Sequence, residues 1–220
     1  IVQGMPPTVI EFPQNRQVMS DWPLLRMKAR NWVIAVRGSF LTASLIPMLL
    51  GTAVAWSATG HMHWGYFVLA LIAGILVQAG TNTINDYFDH RSGNDDVNYE
   101  FVRPFSGGSR VIQLGLLSPL EVLTGSLALI AVAAGIGIYL SWTRGPFLLA
   151  LGAIGLLSGI FYSGHPFNWA KRGIGEAIVA LNFGVLMTLG AYYVQAQSLS
   201  WLPVVASLPV AGLIGSVLYI

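Results

Sequence analysis

Long runs of apolar residues without a charge dominate the pattern of the chain. Four of these runs are each long enough to cross about 30 Å of hydrocarbon as a helix. They occupy residues 38–56, 64–84, 122–143 and 145–164. The pattern therefore predicts four membrane-spanning helices up to residue 164.

The remainder of the chain is more apolar still. No charged residue occurs from Ala177 to Ile220, and a polar segment at 195–200 divides this stretch into two further spans. A β-barrel would show short segments of alternating polarity, whereas residues 67–73 are apolar without alternation. We therefore predict an all-α fold, a multi-pass transmembrane helix bundle with six spans.

The composition agrees with a protein embedded in a bilayer. Of the 220 residues, 55% are hydrophobic and only 9% are charged, whereas about 25% are charged in an average soluble domain. The absence of cysteine excludes disulfides, thiolate metal sites and cysteine nucleophiles. The net charge is only +2, and we expect no nucleic-acid partner.

The charged residues predict an orientation. If the N-terminus is cytoplasmic, all of the 11 basic residues except Arg144 face the cytoplasm, as the positive-inside rule requires. All 9 acidic residues fall on the same side, which that rule does not require. We therefore expect an integral membrane protein whose N-terminus and charged loops are cytoplasmic, and whose cytoplasmic face uses charges of both signs.

Residues 1–31 are interpreted as an N-terminal cytoplasmic tail and residues 32–220 as one membrane domain. The chain starts with Ile1 and ends at Ile220 within an apolar run. We therefore expect it to be a fragment that lacks later helices.

Carboxylates and amides cluster after the second span. Asn82, Asn85, Asp86 and Asp89 share one helical face if the helix continues, and Gly93 would let the chain turn and bring back Asp95. Converging carboxylates repel one another unless a cation offsets them, and all-oxygen ligands suit Mg²⁺. The alternative is a solvated acidic loop that binds nothing.

Basic residues follow this cluster. Arg103 and Arg110 flank the pair Gly107-Gly108, and arginine forks together with glycine backbone suit phosphate oxygens. A cation site that faces an anion site is the arrangement that a diphosphate needs. Ordinary positive-inside topology would also account for both arginines.

The next cytoplasmic loop also combines basic and acidic residues, namely Lys171, Arg172 and Glu176. A Lys-Arg pair at a span boundary is more often a matter of topology than of chemistry. Topology does not explain Glu176, because an acid that enters an apolar span is costly unless it is paired, coordinated or held at the interface.

These motifs together resemble the UbiA family of intramembrane aromatic prenyltransferases. Residues 85–95 resemble its first aspartate-rich motif, and residues 32–37, which end in Arg37, resemble its entry helix. Residues 103–119 and 173–176, with 183–184 and 192–195 downstream, resemble the branch that prenylates 1,4-dihydroxy-2-naphthoate in menaquinone synthesis.

The resemblance implies a fold of about nine helices around a central cavity, of which the last three would be absent here. It implies Mg²⁺-dependent transfer of a polyprenyl group from its diphosphate to an aromatic acceptor, in a prokaryotic plasma membrane. The residues that it implies as catalytic are Asp86, Asp89, Arg110 and Lys171. The implied metal ligands are Asn85, Asp86, Asp89, Asp95 and Glu176. The implied substrate-binding residues are Asn82, Asn85, Arg37, Arg103, Arg110, Tyr162, Lys171 and Arg172.

Some points stay open at this stage. Ala180 stands where many relatives carry the second of two paired aspartates, so a second metal would rely on Glu176, Asn182, water or later helices. Tyr162 would also serve as an interfacial anchor. Glycines such as those at 135, 137, 152 and 155 are expected to make helix-packing contacts, although an apolar groove for the prenyl chain is the alternative.

Other functions are also compatible with parts of the pattern. Within the family the acceptor could be 4-hydroxybenzoate, homogentisate, a chlorin or a glycerol phosphate, and protein partners are unknown. Phosphatidyl-transferring enzymes usually carry an Asp-Gly-x-x-Ala-Arg pattern. This chain lacks that pattern, which argues against this class. A cation-binding transporter remains the alternative outside enzymes, although transporters place their polar sites near the bilayer midplane.

Overall fold

The computed structural model describes residues 22–93, 108–164 and 166–217, and in these ranges every regular element is helical. Eight α-helices are numbered here in chain order, and a π-helical segment, Ala180–Leu186, joins the sixth to the seventh. They are α1 (Trp22–Ala35), α2 (Thr42–Thr59), α3 (Trp64–Arg91), α4 (Pro119–Arg144), α5 (Phe147–Ser163), α6 (Gly175–Val179), α7 (Met187–Ala196) and α8 (Leu202–Val217).

Four of the helical stretches are long and apolar enough to cross a bilayer. They are Gly38–Thr59, Trp64–Arg91, Pro119–Arg144 and Gly175–Ala196. The helices α5 and α8 are apolar but shorter, with 17 and 16 residues. The predicted all-α membrane bundle is confirmed.

The helix boundaries differ from the apolar runs where local chemistry intervenes. Gly145 and Pro146 form the turn between α4 and α5, so α5 begins only at Phe147. The predicted division of the last apolar stretch is confirmed, because α7 ends at Ala196 and Gln197 takes a left-handed backbone with φ of 50°. In the opposite direction, α3 continues beyond the apolar run as far as Arg91.

The first helix is attached to the bundle. Lys28 Nζ donates to Glu121 Oε1 at 2.7 Å, and Asn31 Nδ2 donates to the carbonyl of Leu116 at 2.9 Å. Trp32 packs against Gly125 of α4. Helix α1 thus crosses the boundary expected between residues 31 and 32, while the division of the chain at that position stays a prediction.

Small residues allow the long helices to pack closely. A Cβ added to Gly51 of α2 would lie 2.1 Å from the carbonyl oxygen of Thr188 in α7, and one added to Gly184 would lie 2.4 Å from the Cβ of Ala211 in α8. Without a hydrophobic driving force between helices in lipid, such close approach supplies the van der Waals contact that holds a bundle together.

The expected packing role is wrong for four other glycines. A Cβ added at position 135, 137, 152 or 155 would meet no atom of the described residues within 4 Å. Glycines 137, 152 and 155 instead line an apolar cavity between the helices. Packing is therefore assigned to particular glycines by the arrangement of the helices, and a glycine-rich sequence alone does not identify them.

Candidate functional site

The continuation of α3 through Arg91 puts the acidic motif on a helix, which is the condition on which the shared face was predicted. Asn82, Asn85 and Asp89 are half-buried, and Asp86 is buried. Gly93 follows with a positive φ of 68°, which agrees with the predicted turn. Asp95 lies outside the described residues, so its predicted return to the cluster stays a prediction.

Asp86 is held by donors from two other segments. Arg37 Nη2 donates to Asp86 Oδ1 at 2.5 Å, and the backbone N–H of Ser109 donates to the same oxygen at 3.3 Å. The hydroxyl of Ser109 donates to Asp86 Oδ2. The side chain of Asp86 is only 2% exposed, so these bonds compensate the large cost of removing a carboxylate from water.

The two segments that contact Asp86 have an unusual backbone conformation, one at Arg37 and the other at Gly108 and Arg110. Arg37 and Arg110 take left-handed conformations with φ of 53° and 57°, a region that non-glycine residues enter only at a cost of about 1–2 kcal/mol. Gly108 has a φ of 71°, and a Cβ there would lie 2.9 Å from Asp86 Oδ1 and 3.2 Å from Arg37 Nη2. Two strained arginines and a close-approach glycine therefore surround one buried carboxylate.

A second group of residues approaches α3 from the other side. The hydroxyl of Ser163, at the end of α5, donates to Asp89 Oδ2 at 3.4 Å. Tyr162 is half-buried, and Glu176, Arg37 and Asp89 lie close enough to act on its hydroxyl electrostatically. Tyr162 thus lies where the ends of α3 and α5, the start of α6 and the loop after α1 converge.

The two asparagines of the motif differ in their contacts. Asn82 Nδ2 donates to the carbonyl of Val36 at 3.1 Å, which ties α3 to the end of α1. Asn85 Oδ1 is buried, and no hydrogen-bond partner for it occurs among the described residues. An unpartnered buried acceptor costs about 1–3 kcal/mol, so Asn85 is the amide that is available for an external ligand.

The donor set fits a hard cation in chemical type. Asn85, Asp86 and Asp89 offer only oxygens, which suit Mg²⁺, and the orphaned oxygen of Asn85 needs a partner. Arg37 and Ser109 already use part of the capacity of Asp86. In the described part of the chain, no group of three or more His, Cys, Asp or Glu residues is arranged to hold a metal ion.

The predicted basic residues are less fully described. Arg110 is half-buried beside Ser109, and Arg172 is exposed, with Nη2 donating to the carbonyl of Pro166 at 3.5 Å. Lys171 belongs to a short 3₁₀ helix, Trp169–Arg172, but its side chain is not described. Arg103 lies outside the described residues. The roles predicted for these four residues stay predictions.

An apolar cavity of about 380 Å³ lies between the helices and is partly open, since Ile138 and Leu149 of its wall are exposed. Residues of α2, α3, α4, α5, the π-helical segment and α7 line it, and most of them are aliphatic, alanine or glycine. One end includes Thr81, Gly159 and Asn182. Thr81 precedes Asn82, and Gly159 lies one turn before Ser163. That end therefore adjoins the polar cluster, which consists of Asn82, Asn85, Asp86 and Asp89 with their partners Arg37, Ser109 and Ser163.

Sequence reasoning missed two residues that contact the acidic motif. Ser109 bonds to Asp86 and Ser163 bonds to Asp89, and neither was selected as a candidate. Their positions carried a weak signal, because Ser109 follows Gly108 directly and Ser163 follows Tyr162. A serine has many ordinary roles, so only the fold distinguishes these two from the others.

The fold and the polar cluster define a helical integral membrane protein with a charged site at one end of an apolar cavity between the helices. The sequence profile of the UbiA prenyltransferase family matches residues 44–220. The chain belongs to this family.

Individual relatives agree with the branch that the motifs resembled. The chain is 32% identical over 170 residues to a 2-carboxy-1,4-naphthoquinone phytyltransferase of Synechocystis, covering 77% of this chain and 52% of the relative. It is 31% identical over 188 residues to a 1,4-dihydroxy-2-naphthoate octaprenyltransferase of Mycobacterium tuberculosis, covering 85% and 61%. A human UbiA prenyltransferase domain-containing protein 1 is 29% identical over 201 residues, covering 90% and 56%.

The chain thus spans between half and two thirds of the length of these curated relatives. The site described above is built from residues within 22–93, 108–164 and 166–217.

Proposed function

We propose that this chain forms part of a membrane prenyltransferase that moves a polyprenyl group from its diphosphate to an aromatic acceptor. The acceptor we propose is 1,4-dihydroxy-2-naphthoate, with loss of its carboxylate, as a step of menaquinone biosynthesis. The observation that carries the proposal is the contact between a polar, charged cluster and the end of an apolar cavity of about 380 Å³. A polyprenyl diphosphate has the same polarity, a charged head joined to a long hydrocarbon tail.

The charged head would lie at the end of α3. Arg37 and Arg110 would contact the diphosphate oxygens, and Arg103, Lys171 and Arg172 would neutralise charge from the adjoining loops. Asn82 and Tyr162 would complete the head-group site. The left-handed backbones of Arg37 and Arg110 support this role, because strain of this kind persists where the surrounding structure holds a functional geometry.

Mg²⁺, when bound, would neutralise charge on the leaving diphosphate. Asn85 and Asp89 would hold it, together with Asp95, Glu176 and whatever capacity of Asp86 remains beside Arg37 and Ser109. The orphaned oxygen of Asn85 supports this assignment. Ser109 and Ser163 would orient the two carboxylates of α3 through their hydroxyl groups.

The reaction breaks the bond between C1 of the prenyl group and the bridging oxygen, whose electron pair leaves with the diphosphate. The ring carbon that bears the carboxylate attacks the allylic cation, and the bond to the carboxylate then breaks to release CO₂. The electron pair of that bond restores the aromatic ring. Positioned cations that face the diphosphate oxygens lower the barrier, because negative charge grows there in the transition state.

The naphthoate acceptor is supported by the names of the relatives from Synechocystis and Mycobacterium tuberculosis. The other acceptors of the family remain alternatives within the same chemistry. A cation-binding transporter is the alternative outside enzymes. The orientation that we propose places the N-terminus and the loops of the site in the cytoplasm, since basic residues lie at that side of the spans.

The test is a transfer assay on the complete reading frame in membranes, with Mg²⁺, a polyprenyl diphosphate and each aromatic acceptor in turn. We expect a product from dihydroxynaphthoate that is lighter than the simple adduct by one CO₂, and no product after EDTA treatment. Asp89→Asn should lower the rate at least about a hundredfold, because one changed oxygen at a metal–diphosphate site costs several kcal/mol.

Glu121→Gln is the matched control. It also converts a carboxylate to an amide, but Glu121 pairs with Lys28 on an exposed surface, where an ion pair contributes little. Its rate should stay close to that of the wild type. A product with another acceptor alone would overturn the naphthoate assignment, and a folded protein without metal-dependent transfer to any acceptor would favour the transporter.

A further inference from the structure

Among the described residues that line the apolar cavity, two have a hydroxyl or amide side chain, Thr81 and Asn182. The hydroxyl of Thr81 donates to the carbonyls of Val77 and Gln78 in its own helix, at 2.9 and 3.1 Å. Thr81 is therefore already satisfied by α3. Asn182 is the polar side chain of the cavity wall that remains to be explained.

The side-chain oxygen of Asn182 is buried and has no hydrogen-bond partner within residues 22–93, 108–164 and 166–217. A carboxamide oxygen accepts two hydrogen bonds, and leaving it unpartnered in an apolar interior is unfavourable. A leucine would fill this place in the bundle at lower cost. The presence of the amide therefore calls for a ligand that brings a hydrogen-bond donor or a cation.

The backbone at this position is also unusual. Asn182 lies in the π-helical segment Ala180–Leu186, which interrupts the α-helical stretch Gly175–Ala196. Segments of π-helix are rare and frequently occur at functional sites, because the wider turn re-aims the side chains that it carries. The irregularity of the helix and the orphaned amide thus coincide at one residue.

The position of Asn182 along the cavity limits what it can meet. Thr81 and Gly159, which also line the cavity, lie one helical turn or less from Asn82 and Ser163 of the polar cluster. Leu148 lines the cavity eleven residues before Gly159 in α5, about 16 Å away along the helix axis. On the neighbouring wall, Val194 lies toward the Leu148 end and Asn182 toward the polar end.

We infer that Asn182 is a specificity-determining residue that accepts a hydrogen bond from a ring hydroxyl of the aromatic acceptor. This inference rests on the proposed function. An isoprenoid chain has no donor, and a deprotonated diphosphate offers only oxygens that repel an amide oxygen. A hydroxylated aromatic ring that reacts at the polar end of the cavity brings both an apolar body and an O–H group.

Asn182 does not take part in bond breaking under this assignment. It would fix the rotation of the ring in the cavity, so that the carbon to be prenylated faces C1 of the donor. Loss of the amide should therefore weaken binding of a hydroxylated ring and leave the affinity for the polyprenyl diphosphate unchanged.

The test compares two ligands that differ only in the hydroxyls, 1,4-dihydroxy-2-naphthoate and 2-naphthoate. Their dissociation constants are measured by equilibrium dialysis on the full-length protein, under reducing conditions, with Mg²⁺ and a polyprenyl thiolodiphosphate that does not react. The variant is Asn182→Leu. Leu186→Met, further along the same wall, is the control for a change of shape without a change of polarity.

We expect the preference for the dihydroxylated ligand to fall about fivefold in Asn182→Leu, the value of one net hydrogen bond, and to stay unchanged in Leu186→Met. Should Asn182→Leu fail to fold, Asn182→Ala removes the same amide without adding volume. An unchanged preference in a folded Asn182 variant would overturn the inference and favour the alternative for this amide, a ligand of a second metal.

The transfer assay on the wild type separates the two proposals. Transfer to dihydroxynaphthoate with no effect of Asn182 on ligand preference would leave the proposed function intact and overturn the role of Asn182. A wild type that prefers the hydroxylated ligand through Asn182 but transfers no prenyl group would overturn the proposed function and support the role of Asn182 as a hydroxyl-binding residue.

Discussion

Asp86 has partners that its motif did not indicate. Its spacing predicted a face shared with Asn82, Asn85 and Asp89, and in the structure its carboxylate is also buried and held by Arg37 and Ser109. Because α3 continues to Arg91, Asp86 and Asp89 lie on one helix, the condition under which their spacing predicted a shared face. The partners of Asp86 are 49 and 23 residues away, so no local pattern could reveal them.

Gly108 provides a test of this arrangement. Replacement by alanine would force a left-handed backbone on a residue with a Cβ and would bring that Cβ within 3.0 Å of Asp86 Oδ1. We expect Gly108→Ala to lower stability by about 1–2 kcal/mol through the backbone and also to lower kcat at least tenfold, because Asp86 and Arg37 must move. Thermal unfolding and the transfer assay measure the two effects separately.

Gly115→Ala is the matched control. Gly115 has a similar φ of 66°, but a Cβ there would have no atom of the described residues within 4 Å. Its substitution should cost the same backbone strain and leave kcat unchanged. Equal losses of activity in the two variants would contradict the role that we assign to the contact between Gly108 and Asp86.

At the scale of helices, Arg144 explains how the far end of the bundle is held. It is the basic residue that the positive-inside rule left on the opposite side, and it is nearly buried there. Its Nε donates to the carbonyl of Val194 at 2.6 Å and its Nη2 to the carbonyl of Gln195 at 2.8 Å. Arg144 thus satisfies carbonyls at the C-terminal end of α7, where the helix dipole favours a cation.

Removal of this side chain should affect stability more than catalysis. Arg144→Met leaves two carbonyls without their donor, and we expect a loss of about 3 kcal/mol in the free energy of unfolding. The melting temperature in lipid nanodiscs measures this loss. At temperatures where the variant is folded, kcat should remain within about twofold of the wild type, because Arg144 lies at the end of the bundle away from the site.

Arg30→Met serves as its control, because Arg30 is an exposed arginine of α1. An exposed residue without such contacts should change stability by no more than about 0.5 kcal/mol. A melting temperature of Arg144→Met equal to that of Arg30→Met would show that the contacts of Arg144 do not hold the junction.

At the scale of the whole molecule, the helices leave a cavity that no single helix defines. The cavity is lined in part by Gly137, Gly152 and Gly155. A Cβ at any of these positions would have no atom of the described residues within 4 Å, whereas Gly51 and Gly184 pack against neighbouring helices. The cavity is apolar along most of its length and ends beside the charged cluster. Under the proposed function, this arrangement would separate the hydrocarbon and the charged part of one amphiphilic substrate.

Gly155→Leu should shorten the space for the prenyl chain. The added side chain would extend into the cavity, so we expect the ratio of kcat/KM for a short polyprenyl diphosphate to that for a long one to rise at least fivefold. A competition assay with donors of two lengths, read by mass spectrometry, measures this ratio directly.

Gly135→Leu is the control, since Gly135 also has open space but lies outside the cavity wall. Its ratio of short to long products should match the wild type. A shift of equal size in both variants would mean that the cavity does not hold the prenyl chain.

The sequence by itself determined the all-helical membrane fold, the division of its last apolar stretch and the helical spacing of the acidic motif. These features follow from apolar runs and helical spacing, which are local properties of the chain. The tertiary structure decided the partners of Asp86, the glycines that pack and those that line the cavity, and the place of Asn182. Each of these depends on contacts between helices that are distant in sequence, and close packing of particular side chains sets such contacts.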